Sequence, residues 1–307
     1  MKHLFLFVLY LIISCYSRAA NLAFLVENLP STDHMSLINA IDANDAILNA
    51  IDKYKIPAMG FVNESRIHVD SNFENRIAIL KKWLNSGHEL GNQGYTNKSY
   101  NLVPDDEYFA EITKGENLLR SLMRQYNMKL RYFIPPYLHL GTNPRSYNNL
   151  LAFLRSKGYE LVPVTITNDD WLFNRDYIKA IEMQDTELAD TIKQRYIQFT
   201  HDRFVFYTEA SRKLFGYMID QVFLIHLNKI NEDAIDEILK IPVKLGYHYS
   251  KLEQVLSGFP YNDIKYHAFS KSGISWFRKF DDIEGKVLDW KKEPQNEKYL
   301  DDLFVSH

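Results

Sequence analysis

The chain of 307 residues contains a single cysteine, Cys15, so no disulfide can form within it and its core must supply the stability. It has no basic run either: 36 Lys and Arg stand against 39 Asp and Glu, for a net charge of -3. That balance gives no footprint for a polyanion and argues against nucleic acid. Long apolar stretches are missing, and the run Leu4–Ile13 is too short to span a bilayer as a helix. Neither Gly nor Pro occurs from Arg175 to the residue before Gly216, so that stretch reads as two or more uninterrupted helices. No repeat period, linker or low-complexity segment divides the chain, which reads as one domain.

What is present fits a globular protein with a sizeable core, 46% hydrophobic and 24% charged. Aromatic residues reach 14%, with 20 Tyr and 19 Phe, which suits a carbohydrate-facing cleft and equally a Tyr-rich core and surface. Residues 1–20 have the form of an export signal: Lys2 and His3, the apolar run, then small residues. Ile12-Ile13-Ser14-Cys15 resembles a bacterial lipoprotein box, which would leave Cys15 lipidated. Ser17-Arg18-Ala19 suits an ordinary signal peptidase instead, and Cys15 would then leave with the leader. The expectation is export to the periplasm or envelope of a bacterium, with membrane contact only through an N-terminal lipid.

The rest alternates strand and helix. Leu22–Val26 is a buried strand ending in the polar tip Glu27-Asn28-Leu29-Pro30, and Ser36–Tyr54 has helical apolar spacing. Ile56–Val62 is a strand, Glu74–Trp83 a helix, and Glu89–Leu90 a short strand between Gly87 and Gly91, glycines that permit positive φ or close backbone approach. Asp105–Tyr126 reads as one long amphipathic helix, followed by a strand Leu130–Phe133 stopped at Pro135-Pro136. A helix Arg145–Lys157 ends at Gly158, and a strand Glu160–Thr167 delivers Asn168-Asp169-Asp170-Trp171 at its end. After the helical insertion come a strand Gln221–Leu227, a helix Asp233–Lys244, a strand at Tyr247 and a helix Glu253–Leu256. This alternation predicts an α/β fold with a parallel sheet closed or nearly closed as a barrel over 21–258, with 259–307 as an extension packed on it.

The segment Trp83–Asn101 presents Asn92, Gln93, Tyr95, Thr96 and Asn97 at a strand end, where ligand sites collect in such folds. All are neutral. Together with Lys55-Ile56-Pro57-Ala58, Gly60-Phe61-Val62-Asn63-Glu64, Gly87-His88-Glu89-Leu90-Gly91-Asn92, Leu130-Arg131-Tyr132-Phe133, Asp170-Trp171, Leu224-Ile225-His226 and Gly273-Ile274-Ser275-Trp276, this order resembles the polysaccharide deacetylase (NodB-homology, carbohydrate esterase type) family. The likeness is to a bacterial subgroup with a helical insertion, here before the strand carrying His226.

The resemblance implies a distorted (β/α) barrel and metal-assisted hydrolysis of acetyl groups on sugar polymers, commonly with zinc. It places Glu27 at the catalytic base and His226 at the acid, with Asp170 beside them. Asn28, Gln93 and Asn97 fall on the three metal ligands, and Ile134 on an arginine that supports the base. Amides bind zinc poorly, so no metal is expected. The residues implied to face substrate are Gln93, Tyr95, Asn97, Pro136, Tyr137, His139, Trp171 and Asn228. Blander readings stand beside them: His226 as a core histidine, Asp169 and Asp170 as helix caps, Trp171 as core and His139 as a loop residue. A substitute metal site from Glu27, His139, Asp170 and His226 is a further reading.

Three functions follow as expectations. The first is a degenerate, metal-free member that binds a glycan or peptidoglycan fragment with little or no hydrolysis. The second is an active carbohydrate deacetylase using Glu27 as base and His226 as acid with an altered or absent metal. The third is an envelope scaffold whose barrel mouth is plugged by side chains.

Overall fold

The computed structural model describes residues 19–33, 35–270, 275–300 and 303. The leader with Cys15, and Gly273-Ile274, lie outside the described residues. Among the described residues no helix is long and apolar enough to cross a membrane.

Eight parallel strands form one sheet: β1 Ala20–Leu29, β2 Ala58–Val62, β3 Glu89–Asn92, β4 Tyr132–Phe133, β5 Glu160–Leu161, β6 Ile166–Thr167, β7 Gln221–His226 and β8 Tyr247–Tyr249. Their order is β5-β4-β3-β2-β1-β7-β6, with β8 paired to the start of β1. β1 and β7 are central. Leu22–Val26 and Val222–Ile225 are almost wholly buried, as expected where both faces of a parallel sheet are covered.

The expected strand Glu160–Thr167 is two short ones, because Pro163 has no N–H to continue a ladder. The segment changes partners there. Val162 N donates to Phe133 O on the β4 side, whereas Thr165 N donates to Val222 O on the β7 side. The two ends of the sheet are thus halves of one segment, and the sheet curls into the distorted barrel that the alternation predicts.

Twelve helices surround the sheet among the described residues: α1 Leu37–Tyr54, α2 Phe73–Asn85, α3 Asp105–Lys114, α4 Asn117–Gln125, α5 Pro144–Ser156, α6 Asp170–Glu182, α7 Thr186–Phe215, α8 Lys229–Ile238, α9 Lys240–Lys244, α10 Leu252–Leu256, α11 Trp276–Ile283 and α12 Glu297–Leu300. Their ends follow local chemistry. Ser36 caps α1 by accepting from Asn39 N, and Asn143 forms a capping box with Ser146 ahead of Pro144 at the start of α5. The 30-residue α7 starts at the Asp185 cap and stops at Gly216, which takes φ 78°.

Two expected helices are broken. The span Asp105–Tyr126 divides at Gly115-Glu116, where a Cβ on Gly115 would meet the backbone of Gly94 about 2.5 Å away. The span Asp233–Lys244 begins earlier, at Lys229, and divides before Pro242. Gly91 serves close approach rather than positive φ, since a Cβ there would collide with the Phe61 ring.

The segment after β8 is tied to the barrel where β5 gives way to β6. Trp276 N donates to Val164 O, and Ser275 Oγ donates to Thr165 O. Further along, buried Glu293 accepts from Arg203 of α7 at 2.8 Å and from Tyr207 at 2.7 Å.

Candidate functional site

The pairing of β1 with β7 sets Glu27 directly beside His226 at the carboxyl ends of the strands. β6 ends one strand over, and the chain turns through Asp169, at φ 48°, into the first residue of α6, Asp170. β3 ends in Asn92, so Gln93 emerges on the other side of β1, past β2. Ligand sites gather at this end of parallel α/β sheets. A cleft of about 640 Å³ opens here, lined by all of these residues except Asn92. The plugged mouth expected of a bare scaffold is not found.

His226 is held between two carboxylates. Its Nε2 lies 2.6 Å from Glu27 Oε1 and its Nδ1 2.6 Å from Asp170 Oδ1. Burial by itself would push the imidazole pKa down, but the charges of Asp170 and Glu27 outweigh it and hold the pKa well above the usual histidine range. The ring is therefore an imidazolium that donates from both nitrogens. For Asp170, 1% exposed, burial would raise the carboxyl pKa, and the His226 charge overrides it and lowers it. Asp170 also accepts from His226 N at 2.7 Å and Asn231 Nδ2 at 2.5 Å. The helix-cap reading of Asp170 gives way to an ion pair, and Asp169 makes no side-chain cap bond either.

The other oxygen of Glu27 accepts from Gln93 Nε2 at 3.0 Å, and Gln93 Oε1 accepts from Asn28 N at 2.9 Å. Gln93, 1% exposed, is thus a strut between two neighbours on β1 at the edge of the cleft. Asn28 and Asn97 line the cleft at φ 64° and 59°, a region Asn tolerates. Tyr137 and Leu138 take φ 58° and 55°, which such side chains rarely adopt, and they form part of the cleft wall.

Of the expected substrate-facing residues, Gln93, Asn97, Tyr137, His139, Trp171 and Asn228 line the cleft. Trp171 is 56% exposed, so the core reading fails for it. His139 is bound through Nδ1 to Ser99 Oγ at 2.7 Å, and burial lowers its pKa. Tyr95 and Pro136 lie outside the lining. The Tyr95 ring instead packs under Lys114 Nζ at 3.6 Å, and Pro136 is buried behind Tyr137. Ile134 is fully buried and supports nothing polar through its side chain.

Two contributors, Tyr196 and Asn231, were not among the residues expected from the sequence, and Tyr196 carries no sequence signal. Tyr196, in the middle of α7, donates to Asn231 Oδ1 at 2.5 Å, and Asn168 Nδ2 donates to Tyr196 at 2.6 Å. Asn231 had a faint one, the Asn228-x-x-Asn231 spacing in which Asn228 caps α8 by accepting from Asn231 N.

The donors do not fit zinc. The three positions that the resemblance assigns to the metal carry amides, and the single oxygen of Gln93 already accepts a backbone N–H. Glu27, Asp170 and His226 of the substitute set are bonded to one another, and both nitrogens of His226 are taken, so that set presents no free imidazole nitrogen at the triad. No group of three or more His, Cys, Asp and Glu among the described residues could hold a metal ion.

The curled parallel α/β sheet with a polar cluster at its strand ends is consistent with the barrel that the family resemblance implies. The chain is similar in part to the polysaccharide deacetylases: the family model described as Polysaccharide deacetylase matches residues 38–162. That match includes Gln93 and Asn97; Glu27 and His226 lie on either side of it. No curated protein matches the chain.

Among solved structures, a mutant CE4-family pseudoenzyme with restored enzymatic activity is similar at 14% identity and TM-score 0.52, over 78% of this chain and 69% of that one. The wild-type pseudoenzyme, from Bacillus anthracis, has 14% identity and TM-score 0.50, over 78% and 66%. A peptidoglycan N-acetylglucosamine deacetylase in complex with an N-oxidanyl-benzamide compound has 18% identity and TM-score 0.51, over 78% and 89%. At these identities the likeness establishes the fold.

Proposed function

We propose that this chain is a metal-free, deacetylase-type barrel that binds cell-envelope glycan in its cleft, with little or no N-acetyl hydrolysis. One observation carries the reading. The carboxylate in the place of the base and the imidazole in the place of the acid are bonded to each other at 2.6 Å, while an amide in a metal-ligand place braces that carboxylate. A base already holding the proton of its acid partner is poorly available to a water.

The chemistry points the same way. A catalytic metal lowers the pKa of its bound water from about 15.7 to about 7 and stabilises the oxyanion, and amide donors supply neither. General acid–base catalysis alone is worth about 10²–10⁴-fold. The open cleft, with exposed Trp171 and Tyr137 on its walls, keeps the means of holding a sugar ring. Export, through the leader-like residues 1–20, would bring the barrel to such glycan.

The test is a titration of the purified chain with chito-oligosaccharides by calorimetry, run beside an acetate-release assay on the acetylated forms. Saturable binding without acetate release is the expected result; release at the rate of an active deacetylase contradicts it. The alternative, hydrolysis with Glu27 as base and His226 as acid, draws on the assembled triad. It requires that His226→Ala abolish any acetate release that is measured.

A further inference from the structure

We infer that the ligand of this cleft is a glycan unit carrying a free primary ammonium, an amino sugar, rather than an N-acetylated or acidic unit; this rests on the glycan reading above. Four carboxylates line the cleft, Glu27, Asp33, Asp169 and Asp170, and no Lys or Arg does so among the described residues. Glu27 and Asp170 are balanced by His226, and Asp33 is ion-paired with Arg66. Asp169 is different. Its Oδ2 accepts from the neutral Asn296 Nδ2 at 3.1 Å, and the nearby Arg203, whose charge it feels, spends its hydrogen bonds on Glu293 and Thr167 without an ion-pair contact to Asp169.

A second observation, independent of charge, comes from the hydrogen-bond chain behind the triad. Ionised Asp170 only accepts, so Asn231 must present its Nδ2 there and its Oδ1 to Tyr196. Tyr196 donates to that Oδ1, so its oxygen accepts from Asn168 Nδ2, which also reaches Thr200 Oγ1 at 3.3 Å. The relay fixes the Asn168 amide, and its Oδ1 is left as a buried acceptor with no partner. Asn168 is 1% exposed, lines the cleft and adjoins Asp169.

Asn97 Oδ1 is a second unpartnered acceptor on the lining, and Asn228 Nδ2 is a lone donor. An unpartnered buried polar atom is unfavourable unless a ligand or water supplies its complement. An ammonium has three donors and no acceptor, and it matches the Asp169 carboxylate beside the orphaned Asn168 carbonyl. The face of Trp171, two residues beyond Asp169, adds attraction for a cation and a surface for the sugar ring. An acetamide would replace the ammonium with one N–H and add an acceptor, and a carboxylate would meet Asp169 as a like charge.

The experiment titrates the full chain, at about pH 6 and low ionic strength, with a glucosamine tetramer, its fully N-acetylated counterpart and tetralysine. The glucosamine tetramer should bind about two- to fivefold tighter than the N-acetylated one, a ratio set by one partly exposed charge pair. Asp169→Asn keeps a residue type that tolerates φ 48° and should erase that preference while leaving weaker binding intact. Equal or tighter binding of the N-acetylated tetramer overturns the inference and leaves the glycan reading standing, whereas failure of both sugars to bind overturns both. Tetralysine binding as tightly as the glucosamine tetramer would show charge alone at work and overturn the amino-sugar assignment. An Asp169→Asn variant that keeps the full preference, with unchanged circular dichroism, overturns it as well.

Discussion

Replacing His226 by Ala would remove the one cation that two carboxylates share. Asp170 is 1% exposed and Glu27 7%, and each has an oxygen 2.6 Å from the ring. Removing one partner of a buried ion pair costs about 3–5 kcal/mol, mostly because the remaining charge is left uncompensated. With an m-value of about 3 kcal/mol/M in urea for a chain of this size, the midpoint should fall by about 1–1.7 M at pH 6.

The pH dependence is a sharper test than the size. The folded pKa of His226 is raised, so its stabilisation is complete below about pH 6.5 and is lost as pH rises through the folded value. That of Asp170 is lowered, so its stabilisation is present above about pH 4 and is lost as pH falls further. In the variant Asp170 loses the charge that lowers its pKa, and protonating it relieves the buried charge. The stability gap between wild type and variant should therefore be widest at about pH 5–7 and narrow on both sides. Urea melts across that range measure it. A gap below about 1 kcal/mol, or one constant down to pH 4, would refute the shared-cation account.

Other consequences can be checked in parallel. Gln93→Ala should cost about 1–3 kcal/mol, since it leaves buried Glu27 and Asn28 N each short of a partner; no loss in a thermal melt would show that the strut is idle. Trp171→Ala should weaken glycan binding tenfold or more, on the order of 1.4 kcal/mol, while shifting the melting temperature little because the ring is 56% exposed. Lys279 is buried against Tyr147 and Trp276, and burial pushes its amine down to about 7. Its charging penalty is present below that value and fades as pH rises towards the unfolded range, so Lys279→Met should stabilise the protein by roughly 1 kcal/mol at pH 6 and much less at pH 9. The combined variant Asn28→Asp, Gln93→His, Asn97→His should take up zinc, read by elemental analysis; failure to do so would mean that the strand ends no longer hold the geometry of a metal site.

Much of this was legible in the sequence because it depends on local pattern. The apolar runs of β1 and β7 and the Gly158 stop are all short-range signals. Glu27, Asp170 and His226 were legible as candidates because each sits at a strand end. That they bond to one another depends on the register of β1 with β7, which no periodicity encodes.

The split of Glu160–Thr167 turned on Pro163 and on a change of partner strand, a tertiary event. Tyr196 was invisible for a related reason. A tyrosine in the middle of a 30-residue helix is usually core, and only the packing of α6 and α7 puts its hydroxyl under the site. Gln93 was read as a residue facing substrate because amides suit sugars. It lines the cleft, and both ends of its amide are also held by Glu27 and Asn28 N, pairings that only the tertiary structure sets.

The account rests on amides having displaced a metal site, with a closed acid–base pair left behind. The most direct measurement is the zinc content of the purified wild-type chain after equilibration with excess zinc and removal of the free ion. Well under one zinc per chain is predicted. One tightly held zinc per chain, retained against a chelator and lost on Gln93→Ala, would contradict it.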